Sequence, residues 1–182
     1  MDLLPARFAI VLVALFTMVA VTPTCAQSQR HWGDSLATAI PLATLGTELY
    51  RDNREGAWQY ALTFASTTIG TEALKHTTHI ERPDGSNDLS FPSGHAARAF
   101  SAAAYVRKRY RLETAAPLYL AALYVGHTRV AAKRHRWIDV AGAALMAEVS
   151  AEWLVQRTPN SQVVVSAAFD HRHVGMTIAA SW

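Results

Sequence analysis

Pro92-Ser93-Gly94-His95-Ala96-Ala97-Arg98-Ala99-Phe100-Ser101-Ala102-Ala103-Ala104 is the stretch on which the reading of this chain turns. Serine suits a helix cap, glycine lets the backbone approach a ligand closely, and the alanines that follow are the best helix formers. A helix is therefore expected over residues 93–110. Its first turn carries N–H groups without intrahelical acceptors and a partial positive charge, so an anion is stabilised there without a metal ion. His95 stands at the edge of that cradle, where a protonated imidazole could donate to a leaving oxygen. An ordinary capped helix with an incidental histidine has the same sequence, so the stretch gains meaning only from its neighbours.

Working outward, helices are expected over residues 35–50, 56–75, 115–128 and 137–157. Trp58, Leu62, Ala65, Ile69 and Ala73 recur at helical spacing in the second of these, and Leu145, Val149 and Trp153 mark an inner stripe in the last. Pro83 to Asp88 is a cluster of turn residues and reads as a loop, and Pro159 is expected to stop the final helix. Residues 162–168 and 174–182 are β-branched runs, the second alternating Val174, Met176, Ile178, Ala180 and Trp182, which reads as a hairpin packed on the helices. The fold class is mainly α, a bundle of five to six helices with the site at helix ends, plus a short C-terminal β-hairpin.

Two further clusters flank the central helix. Lys75 and Arg82 are separated by six residues, and a compact ammonium and a forked guanidinium leaving a helix end could converge on one phosphate. Alone, such a pair is as well explained by solvation. Arg129, His135 and Asp139 follow with five and three residues between them; at i, i+4 the carboxylate can hold one imidazole nitrogen while the other faces a substrate. That describes a nucleophile with its orienting group, although the same spacing also produces plain surface ion pairs.

In order along the chain, the three clusters resemble the signature of the phosphatidic acid phosphatase type 2 and vanadium haloperoxidase superfamily, which includes bacterial acid phosphatases and lipid phosphatases. The resemblance spans Lys75 to Asp139 and is met at ten specified positions. It implies that Lys75, Arg82 and Arg129 hold phosphate oxygens, with Ser93 and the Gly94 amide completing the cradle. His135 is then the nucleophile that forms a phosphohistidine, Asp139 its partner, and His95 the acid for the leaving alcohol. The implied activity is metal-independent hydrolysis of a phosphate ester: a lipid phosphate, a pyrophosphate or a small soluble monoester. Thr128 stands where the family often has serine, and only eight residues separate Pro83 from Pro92, which bears on substrate size more than on chemistry.

The chain as a whole bounds the alternatives. At 182 residues, 51% hydrophobic and 17% charged, it has room for one domain, read as residues 27–160, with the hairpin over 161–182. Arg7, an apolar run from Phe8 to Val21 and then Ala26 read as an export signal over residues 1–26, implying a periplasmic or membrane-associated location. Removing it would take away the only cysteine and leave the formal charge at +3. Arg107, Lys108, Arg109 and Arg111 read as a solvated helix end; nucleic-acid binding is not expected, because no broad basic face with interleaved aromatics is present. His76, His79 and His127 lack the carboxylate or thiolate partners of a closed metal site, so neither metal nor cofactor is expected. The partner expected is a phosphorylated small molecule or lipid, with peripheral membrane contact left open by a mean hydropathy of only +0.07. Oligomeric state is not readable. A haloperoxidase would use the same cradle for vanadate but is usually much longer. A non-catalytic protein binding phosphorylated headgroups would not require two imidazoles and an orienting carboxylate.

Overall fold

The computed structural model describes residues 26–158, with side chains from residue 31, and the backbone of 162–170 and 173–181. The expected export signal lies outside the described residues except for Ala26, and the hairpin, without described side chains, stays a proposal. Five helices make up the described body: α1 (Ala26–Tyr50), α2 (Arg54–Thr78), α3 (Gly94–Arg109), α4 (Leu112–Ala131) and α5 (Trp137–Leu154).

Local chemistry sets the ends of these helices. Asn53 caps α2, its side chain accepting from the Gly56 N–H at 3.0 Å, and His79 ends the same helix in the left-handed region at φ 47°. Asp139 Oδ2 reaches back to accept from the Arg136 N–H at 2.8 Å, which fixes the start of α5. The end of α5 comes earlier than expected. Val155 is already extended, and the Thr158 N–H donates to the Arg109 carbonyl at 3.2 Å, so tertiary bonding turns the chain out before Pro159 acts.

The alanine-rich helix is the axis of the bundle. α3 touches α1, α2, α4 and α5, and Ala96, Ala99, Ala102, Ala103 and Ala104 are fully buried. A helix apolar on nearly every side belongs inside, and one built of methyl side chains lets its neighbours come close. Neighbours meet α3 with equally small groups: Thr63, Thr67 and Thr71 of α2, and Ala143, Ala147 and Ala151 of α5.

That close packing overturns two expectations. The stripe of Leu145, Val149 and Trp153 faces outward, with Trp153 86% exposed, and on α2 Trp58 and Ile69 are also exposed. Side chains of that size would hold α2 and α5 away from the alanine shaft, so the small residues take the inner faces. Arg109 is not solvated at a helix end. It is buried, with Nη1 donating to Gln59 Oε1 at 3.0 Å and to the Gln156 carbonyl at 3.2 Å. Beside it Glu48, also buried, accepts from the Tyr110 hydroxyl at 2.8 Å and from Asn53 Nδ2 at 2.7 Å, closing the end of the bundle away from the loops at 79–93 and 132–136. Arg107 pairs with Glu148 at 2.7 Å, and Lys108 pairs with Glu152.

Gly126 of α4 rests against Val140 of α5, where an added Cβ would lie 2.6 Å from Val140 Cγ1. Gly126→Ala is expected to destabilise the protein by about 1–3 kcal/mol, as overpacking of a filled core does. Equilibrium urea unfolding measures this, and an unchanged midpoint would show that α4 and α5 have slack.

Candidate active site

Alternation of helix direction puts the last turns of α2 and α4 at the same end as the first turns of α3 and α5. Loops 79–93 and 132–136 cross that end. Between them lies a cavity of about 400 Å³, lined among others by Lys75, Arg82, Gly94, His95, Arg129 and His135. Six of the eight residues singled out in the sequence thus share one space. The other two, Ser93 and Asp139, lie behind its wall: both are fully buried, and the Ser93 N–H donates to the Asp139 carbonyl at 3.0 Å. Ser93 does not cap α3 through its side chain, and its hydroxyl has no partner among the described residues.

His135 sits just ahead of α5 and is 4% exposed. Its Nδ1 lies 2.8 Å from the Ser90 carbonyl and 3.4 Å from Asp139 Oδ2. A carbonyl can only accept, so Nδ1 carries the proton and a neutral ring keeps its lone pair on Nε2. Burial, and then the charge of Arg82, push its pKa below the usual histidine range, against the opposing pull of Asp139. Asp139 orients the ring less directly than its spacing suggests. Its Oδ2 is occupied by the Ser90 hydroxyl at 2.6 Å and the Arg136 N–H at 2.8 Å, so it secures the two segments that hold the imidazole. Ser90, a residue the sequence reading passed over, therefore contributes both of its oxygens.

His95 faces Asp34 of α1, its Nε2 3.0 Å from Oδ1, and the same oxygen accepts from Arg129 Nη1 at 2.6 Å. Burial, followed by Arg129 and Arg98, lowers the His95 pKa to about 4, while Asp34 acts in the opposite sense. Asp34 was also passed over. The one available signal was its being the only acidic residue between Ala26 and Thr47. Gly33 makes the approach of α1 workable, since an added Cβ would lie 2.6 Å from Arg129 Nη2 and closer still to Thr128 Oγ1.

The cations are held individually. Lys75 Nζ pairs with Glu72 at 2.7 Å, and Nζ would lie only 3.0 Å from a Cβ at position 94, so glycine there leaves the ammonium its place. Arg82 Nη2 reaches the Leu89 carbonyl at 3.5 Å, and its Nε has no partner among the described residues. Two more guanidiniums line the cavity. Arg134 pairs with Asp84 at 3.4 Å, whereas Arg98, one turn along α3 from His95, makes no ion pair among the described residues. Among those residues, no three of His, Cys, Asp and Glu gather as a metal site would require; His79 meets only Asp88, at 2.8 Å, on the surface.

The chain matches the family model of the PAP2 superfamily over residues 56–162. It belongs to that superfamily. Its described fold is similar to the crystal structure of Aquifex aeolicus LpxE, at a TM-score of 0.61 and 23% sequence identity, covering 78% of this chain and 92% of that one. A search of curated proteins finds no match in sequence. Membership points to a hydrolase of the phosphatase kind, and Lys75, Arg82, Gly94, His95, Arg129 and His135 all lie within the matched span.

Asp139→Ala removes the acceptor of a buried hydroxyl and of a helix-start N–H together. It is expected to destabilise the protein by about 1–3 kcal/mol, the cost of leaving buried donors unmade. Chemical denaturation monitored by circular dichroism tests this; wild-type stability would mean that the Ser90 and Arg136 segments hold without the carboxylate.

Proposed function

We propose that this protein is a metal-independent phosphatase that removes phosphate from a lipid-like ester through a phosphohistidine intermediate. The observation that supports this most directly is the pairing of a neutral, carbonyl-anchored His135 with a cation-lined cavity that also contains His95. Lys75, Arg82 and Arg129 would take the equatorial oxygens, while Nε2 of His135 attacks phosphorus and its ring charge is shared with Ser90 and Asp139. His95 would protonate the departing oxygen and then, as a base, activate the water that hydrolyses the P–N bond.

A lipid substrate is favoured by where the large apolar side chains point. Trp58 and Ile69 of α2 and Leu145, Val149 and Trp153 of α5 are exposed on adjoining helices, a surface suited to peripheral contact with a bilayer. No helix among the described residues is long and apolar enough to cross a membrane. Location outside the cytoplasm, with residues 1–26 as an export signal and 27–160 as the phosphatase domain, completes the reading. The alternating tail and the antiparallel pairing of Gln162 with Ser181 and Asp170 with His173 support a C-terminal hairpin.

His135→Ala should lower phosphate release from a lipid phosphate by about 10³-fold or more while leaving the protein folded. Rapid-quench trapping should find a phosphoenzyme in the wild type and none in the variant. Wild-type turnover by a folded His135→Ala protein would exclude this residue as the nucleophile.

Proton supply should show in the pH profile. His95 is neutral near pH 7 because its pKa is held at about 4 by burial and by Arg129 and Arg98, with Asp34 opposing and His135 also near. The protonated fraction therefore grows as pH falls, and kcat/KM for a monoester should rise from about pH 7 to about pH 5. The substrate's own ionisation near about 6 contributes a slope in any variant, so the diagnostic is a shallower rise in His95→Gln. Identical profiles would remove His95 from the proton path.

A further inference from the structure

A cavity built for an anion has no evident use for a carboxylate, yet one lines it. Asp34 is the single acidic residue among the nine lining the cavity, five of which are lysine or arginine. Glu72 and Asp84, which pair with Lys75 and Arg134 at 2.7 and 3.4 Å, do not line it. Asp34 therefore repels whatever phosphate binds, and its place there needs another reason. It belongs to α1, outside the span of residues 56–162 that the family model matches.

The reason lies in how its Oδ1 is shared. Arg129 Nη1 stands 2.6 Å from that oxygen and His95 Nε2 stands 3.0 Å from it. A carboxylate oxygen that serves a guanidinium can only accept from the imidazole as well, so Nε2 carries the hydrogen. Nδ1 is the nitrogen left to exchange a proton with a substrate. Asp34 faces His95 from α1, Arg98 from its own helix, Arg129 from α4, and His135 from ahead of α5. Burial, then Arg129 and Arg98, hold the His95 pKa at about 4, and among these four groups Asp34 alone raises it. Arg129 thus weakens the acid twice, through its own charge and through its share of Oδ1.

We propose that Asp34 is a positioning residue for the leaving-group proton, which fixes the His95 tautomer and passes from Arg129 to His95 when a phosphate arrives. This rests on the reading of the protein as a phosphohistidine-forming phosphatase with His95 as its acid. A bound phosphate neutralises Arg129 and competes for its donors, so both effects of the guanidinium on His95 relax together. His135 Nε2 then bonds to phosphorus, and the bond from phosphorus to the ester oxygen breaks with its electron pair going to that oxygen. The proton on His95 Nδ1 follows it. The neutral ring still donates from Nε2 to Asp34, and its lone pair on Nδ1 takes a proton from the water that cleaves the P–N bond.

The test compares dodecyl phosphate, whose alkoxide needs a proton to leave, with para-nitrophenyl phosphate, whose phenolate needs it far less. In the full protein, Asp34→Asn should lower kcat/KM for the alkyl ester by about 10²-fold, and the loss on the aryl ester should be at least about 10-fold smaller. Asp34→Glu should recover part of the alkyl activity. Equal losses on the two esters, or none on either, overturn the proposal. Removing a negative charge should leave competitive inhibition by orthophosphate as strong or stronger; weaker inhibition would assign Asp34 to placing Arg129 and also overturn it. An arm independent of turnover follows the His95 ring by NMR, its signal assigned by its loss in His95→Gln. In wild type, orthophosphate should move the His95 titration to higher pH, and with orthophosphate bound Asp34→Asn should titrate lower than wild type. A wild-type titration that orthophosphate leaves unmoved overturns the proposal even where the variant fails to fold. Should wild type form no phosphoenzyme while both titrations behave as expected, the reading of the nucleophile fails and the assignment of Asp34 to His95 stands.

Discussion

Close approach to α3 is the constraint on which the rest of this molecule depends. A helix lined with methyl groups has almost no side-chain thickness, so four neighbours can contact it at once. Their ends then fall close enough for the loops at 79–93 and 132–136 to carry functional groups into one cavity. The cost is that larger apolar residues of α2 and α5, Trp58, Ile69, Leu145, Val149 and Trp153 among them, turn outward, while Tyr60, Phe100, Tyr105 and Leu118 fill the space that remains inside. Core packing and the exposed apolar face are two sides of one steric fact.

Electrostatics at the site follow from how that cavity is charged. Crowded cations repel, and the fold tempers this with single carboxylates placed against Lys75, Arg129 and Arg134. Burial lowers the proton affinity of both imidazoles, and the remaining positive field lowers it further. For His135 this agrees with attack by a free ring nitrogen. For His95 it sets a demand that an incoming anion can meet, because negative charge nearby raises the affinity of the ring for a proton. The ligand would thereby help to prepare the acid that acts on it.

The sequence disclosed which charged and imidazole side chains gather more readily than it disclosed the packing. Lys75, Arg82, His95, Arg129 and His135 were legible because polar residues at fixed spacing around helix ends have few structural explanations in combination. Asp34 and Ser90 were not, since each acts across a long sequence separation through a single oxygen or a backbone carbonyl. The outward stripe of α5 was misread because periodicity identifies a face without saying which way it points. Alanine and threonine, weak signals on any hydropathy scale, are what identify the inner faces here. Arg109 shows the same limit, as a basic cluster conceals the one member whose donors are all needed inside.

The carbonyl that anchors His135 belongs to Ser90, on the connection between Arg82 and Gly94, both of which line the cavity. Cavity shape and ring orientation are therefore mechanically joined: a longer or differently folded segment here would carry the hydrogen-bond acceptor of His135 along with it. Remodelling that segment would re-aim the His135 ring as well, so the shape of the rim and the orientation of the imidazole cannot change independently.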